Sequence, residues 1–100
     1  MSALVEAEGL VKHFPVSRRL RHVLALAYLF DELAHEYVEA VPPSSLEFDP
    51  ASFQELIDPA TELYEGVAGH DGTPEKLEAA RRLEALLAFT LVVDRDRFTP

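Results

Sequence analysis

Residues 17–41, SRRLRHVLALAYLFDELAHEYVEAV, set the architecture of this chain. Val23, Ala27, Phe30, Ala34, Tyr37 and Val41 follow one another at alternating spacings of four and three. That period draws a continuous apolar seam along one side of a helix about five turns long. Leu20, Leu24, Leu26, Leu29 and Leu33 widen the seam until residues 23–30 are apolar all round. A helix of that kind is the central helix of a bundle or part of a subunit interface. Ser17 is expected to cap its start and Pro42-Pro43 to end it.

The rest of the chain reads as helix too. Leu4, Ala7, Val11 and Phe14 share a helical face, with Ser2 as a possible cap and Pro15 as the expected stop. Ala3, Val5, Ala7, Gly9 and Val11 also alternate as a strand would, and Gly9 weakens a helix. After the loop PPSSLEFD at 42–49, Asp49-Pro50-Ala51-Ser52 and Asp58-Pro59-Ala60-Thr61 both read as helix starts, an acid cap followed by proline at the first position. Two short helices are therefore expected, the first carrying Phe53, Leu56 and Ile57 inward and the second Leu63, Tyr64 and Val67. Gly66, Gly69 and Gly72 mark a turn-rich linker. Thr73-Pro74-Glu75 begins a last helix, with Leu77, Ala80, Leu83, Leu87 and Leu91 as its inner face and Glu78–Arg82 as an i,i+4 ion pair. The expectation is all-α: one domain over residues 1–100, a small helical bundle of two long helices (17–41 and 74–93) and two or three short ones, with 1–15 as an N-terminal helix or arm. The core is expected to hold Leu20, Val23, Leu24, Ala27, Phe30, Leu33, Ala34, Tyr37, Phe53, Leu56, Leu63, Leu83, Leu87 and Leu91.

Residues 3–16, ALVEAEGLVKHFPV, resemble the opening strand of the ATPase subunits of oligopeptide-type ABC transporters. The resemblance implies a strand at that place and nothing of the chemistry, because neither Lys12 nor Lys76 follows a glycine and the phosphate-binding loop is missing.

Composition narrows the function classes. One hundred residues is one domain's worth of chain. The absence of cysteine removes disulfides, thiolate metal sites and thiol catalysis. The net charge of −9 speaks against nucleic acid as the main partner. Its sign is uneven: residues 1–22 carry a net +2 and residues 23–100 a net −11. That division suits docking of a basic N-terminal stretch on the acidic body of a neighbouring copy. No segment reaches the ~18 apolar residues of a membrane span, and the N-terminus lacks the apolar core of a secretory signal. A cytoplasmic protein is expected.

One cluster suggests chemistry. Asp31, Glu32, His35, Glu36 and Glu39 lie together on the second helix, and Glu32-Leu33-Ala34-His35 has the Glu-x-x-His form of ferritin-like di-iron bundles. With Glu62 and Glu65 on another helix, two chains meeting would be needed to complete a site for iron or another divalent metal. Glu32, His35, Glu36 and Glu62 are the candidate ligands. Set against this is an acidic, solvated helix face with His35 paired to Asp31. The serines sit at caps or beside prolines, which gives hydrolase chemistry no nucleophile. Two helices apolar round their middle turns are hard to cover within one chain, so partners are expected: a second copy or another protein, through Val23, Leu26, Leu29, Phe30, Leu86 and Phe89. The expected function is a non-enzymatic accessory module that self-associates, with the ferritin-like metal bundle as its alternative.

Overall fold

The computed structural model describes the backbone of residues 2–98 and the side chains of residues 18–98. The described residues form three α-helices and no strand: α1 (Ser2–Ala40), α2 (Pro50–Ala68) and α3 (Pro74–Phe98). The all-α reading holds, with fewer and longer helices than expected.

Both corrections come from prolines. Pro15 lies inside α1, so the separate N-terminal helix and the helix expected to start at Ser17 are one element, and the strand implied for 3–16 is helix instead. Proline removes one backbone hydrogen bond without forbidding helix on either side of it. The face expected from Leu4, Ala7, Val11 and Phe14 lies outside the described side chains. Pro59 likewise sits within α2. The buried residues Phe53, Ile57, Ala60, Tyr64 and Val67 step by four, three, four and three straight across it. Burial of that unbroken face outweighs a helix-interior proline, which costs about 3 kcal/mol. Asp58 is not a cap, since its carboxylate accepts a hydrogen bond from the Gln54 amide at 2.6 Å.

The other expected cap is present. Asp49 has extended backbone, and its carboxylate accepts from the Ala51 N–H at 3.1 Å and the Ser52 hydroxyl at 2.7 Å. These bonds, the Ser52 hydroxyl first, hold the Asp49 carboxyl below its ordinary range. At the start of α3 the Thr73 hydroxyl donates instead to the His70 carbonyl at 2.8 Å. Gly72, at φ 80°, supplies the left-handed residue of the turn between α2 and α3.

The helices run up, down and up. Arg19, Leu20 and Val23 of α1 meet Gly66, Val67 and His70 at the end of α2, while Arg21 approaches Glu75 at the start of α3. Toward the other end Tyr37 packs on Phe48, Phe48 on Phe53, and Phe53 on Phe89. Phe48 comes from the 42–49 loop and is buried. The Tyr37 oxygen fixes that loop by accepting from the Asp49 N–H at 2.9 Å. α1 is 39 residues long, about 58 Å, and continues N-terminally past the level where α2 ends and α3 begins. The radius of gyration of 18.0 Å, against about 13 Å for a compact chain of this length, records that elongation.

Between α1 and α2 the core is close-packed around Ala27, Ala34 and Ala60, all without solvent exposure. Leu20, Leu24, Ala27, Ala34 and Phe53 are buried as expected, and Val23, Phe30, Tyr37, Leu56, Leu63 and Leu83 pack half-buried against them. The inner face of α3 differs from the expectation. Glu75, Ala79, Leu86 and Val93 point inward, whereas Leu77, Leu87 and Leu91 are exposed. Leu33 also faces solvent.

Candidate functional site

Two features stand out on this framework: a polar cleft between α1 and α3, and faces of α1 and α3 whose leucines are exposed among the described residues.

The cleft, about 400 Å³, is lined by Tyr28, Asp31, Glu32 and His35 of α1 and by Arg82, Ala85 and Leu86 of α3. Beneath it Tyr64, fully buried on α2, donates its hydroxyl to Asp31 Oδ2 at 2.8 Å. The other Asp31 oxygen lies 3.1 Å from His35 Nδ1, which is also 2.9 Å from the Asp31 carbonyl oxygen. Both neighbours are acceptors, so Nδ1 is the donor of this pairing, the tautomer whose lone pair lies on Nε2. The His35 ring stacks on Phe89 at 3.8 Å between centroids. On the other side the Tyr28 hydroxyl donates to Glu78, and the Arg82 guanidinium sits 4.9 Å above the Tyr28 ring. Burial, reinforced by the hydrogen bond to Asp31 and its charge, raises the Tyr64 pKa far above the ordinary phenol value. Burial followed by the bond to Glu78 raises that of Tyr28.

The candidate ligands separate. Glu32 and His35 line the cleft, while Glu36 and Glu62 are exposed outside its lining. Among the described residues no three His, Asp or Glu side chains gather as a metal site requires. The expected Glu78–Arg82 pair gives way to separate engagements with Tyr28, Glu78 through its hydroxyl and Arg82 over its ring. Tyr28, Tyr64 and Arg82 were not expected at a site. Tyr28 was legible, since it precedes Asp31 by three residues and Glu32 by four on the same helix.

The expected interface residues also divide. Leu86 is 1% exposed and belongs to the core. Phe89 is half-buried between His35 and Phe53, and Val23 and Phe30 are half-buried against the core. Leu26 and Leu29 are each 50% exposed, and Leu33 joins them at 37%. These three lie roughly 140° round α1 from the buried stripe of Leu20, Leu24, Ala27 and Ala34, on a face turned away from the bundle. A second apolar face, Leu77, Leu87, Leu91 and Val92, lies on the outside of α3.

No protein-family model, no curated protein and no solved structure matches this chain. Among the described residues no helix is long and apolar enough to cross a membrane.

Proposed function

We propose that this protein is a non-enzymatic helical interaction module that self-associates through the free face of α1. The observation that carries the reading is the row of Leu26, Leu29 and Leu33, which points away from both partner helices. Apolar side chains aligned on one free helix face are the usual anchors of helix pairing, and exposed patches of this kind mark interaction surfaces. The alternative, a metal-binding bundle, draws on Glu32 and on the lone pair of His35. Arg82 lines that same cleft, and its positive charge opposes a cation there. The interaction reading is the better supported.

The test is solution mass by light scattering coupled to size exclusion over a wide range of protein concentration. A multiple of the 11.2 kDa chain mass is expected, falling toward a single chain in Leu29→Glu. A mass of 11.2 kDa at every concentration overturns the proposal.

A further inference from the structure

The residues of α1 that face solvent form a longer pattern than the three leucines. Arg19, His22, Leu26, Leu29, Leu33, Glu36 and Ala40 follow one another at spacings of three, four, three, four, three and four, and every one is exposed. This is the a/d spacing of a coiled-coil seam, centred on the side of α1 opposite the bundle, with exposed Arg19 at its edge beside the end of α2. The seam is polarised. Its N-terminal end carries Arg19, flanked by exposed Arg18; its C-terminal end carries Glu36, flanked by exposed Glu39; the leucines lie between.

From this we infer that the occupant of the face is a second copy of the chain, with its α1 antiparallel to the first. A two-fold axis between Leu26 and Leu29 sets Leu26 against Leu29 of the second copy, His22 against its Leu33, and Arg19 against its Glu36. Arg18 comes opposite Glu39 at the edge. Each contact occurs twice by symmetry, as an isologous interface requires. The parallel arrangement sets Arg19 on Arg19 and Glu36 on Glu36, and like charges across a helix seam oppose association. Charge complementarity therefore fixes both the partner and its direction. In a chain of net charge −9, the antiparallel arrangement also brings basic residues of each copy onto acidic residues of the other.

This inference rests on the self-association proposed above, and the experiment separates the two. The variants are Arg19→Glu, Glu36→Lys and the double exchange Arg19→Glu/Glu36→Lys, all at exposed positions, with circular dichroism melts confirming that each folds. Each single reversal converts two attractive pairs into two repulsive ones and is expected to weaken the dimer about tenfold at low salt. The double exchange is expected to restore it. Spin labels at position 39 are expected about 35 Å apart along the helix axis in the antiparallel pair, against about 10 Å in a parallel one. Single reversals without effect, or the short label distance, overturn the antiparallel seam. A dimer that persists in Leu29→Glu places association on another face and overturns this inference while leaving self-association standing. A monomer at all concentrations removes both.

Discussion

The two seams that α1 forms with its neighbours are built on different principles. Toward α2 it presents Ala27 and Ala34 against a helix carrying Ala60, Tyr64 and Val67, and solvent is excluded. Toward α3 it presents Tyr28 and His35, which engage Glu78, Arg82 and Phe89 by hydrogen bond, cation–π contact and ring stacking around an open cleft. The first seam draws on burial and close approach, which respond steeply to lost volume. The second draws on polar contacts at partly wet sites, whose net worth is small one by one. α1 and α2 thus form the stable pair, and α3 is held on it by its small inner stripe and by the aromatic cluster at the far end.

The largest effect is expected where the aromatic cluster joins the seams. Phe53 is 4% exposed and touches both Phe48 and Phe89. Phe53→Ala should cost about 3–5 kcal/mol, read by urea denaturation. A loss below about 1 kcal/mol would mean that α2 and α3 do not share a core. Next comes Tyr64, the link between the dry seam and the cleft. Tyr64→Phe removes the donor to a mostly buried carboxylate and should cost about 1.5 kcal/mol at neutral pH. Its pKa is raised in the folded protein, so the contribution is fully present below the ordinary value of 10.0 and is lost as pH rises above it, where the unfolded chain ionises first. Tyr28 is raised in the same direction. Stability should therefore fall above about pH 10, and less steeply in Tyr64→Phe, as urea melts between pH 8 and 11 will show.

The same contrast explains what the sequence disclosed. The α2 face was legible because Phe53, Leu56, Ile57, Leu63, Tyr64 and Val67 keep one helical phase, and the error was confined to a break at Pro59. The α1 seam from Val23 to Val41 was legible for the same reason. α3 was not. Leu77, Leu83, Leu87 and Leu91 propose one phase, while Ala79, Leu86, Phe89 and Val93 propose another, and a helix apolar on both sides gives periodicity nothing to choose by. The choice is made in three dimensions: a small residue, Ala79, lets α3 approach, and Phe89 stacks on His35. The same excess of leucine draws Leu33, which faces solvent, into the expected core. In the cleft, Asp31–His35 pairing was readable from i,i+4 spacing. Tyr64 and Arg82 reach the cleft from other helices, which local spacing does not connect.

The smallest effect sharpens the contrast most. Arg82 is exposed, and its guanidinium rests on the Tyr28 ring. A cation–π contact at an exposed site is worth about 0.5–1 kcal/mol, so Arg82→Ala should lower stability by about that amount or less. If the α1–α3 seam is a set of independent polar contacts, Arg82→Ala and His35→Ala should add, since one removes the contact to Tyr28 and the other that to Phe89. If instead α3 docks cooperatively through the cleft, either substitution alone already weakens the contact the other removes, and the double mutant should lose at least about 0.5 kcal/mol less than the sum. Hydrogen exchange distinguishes these outcomes residue by residue. Independent contacts leave the α3 amides exchanging with the rest of the core, whereas cooperative docking makes them exchange together ahead of α1 and α2 once both side chains are gone.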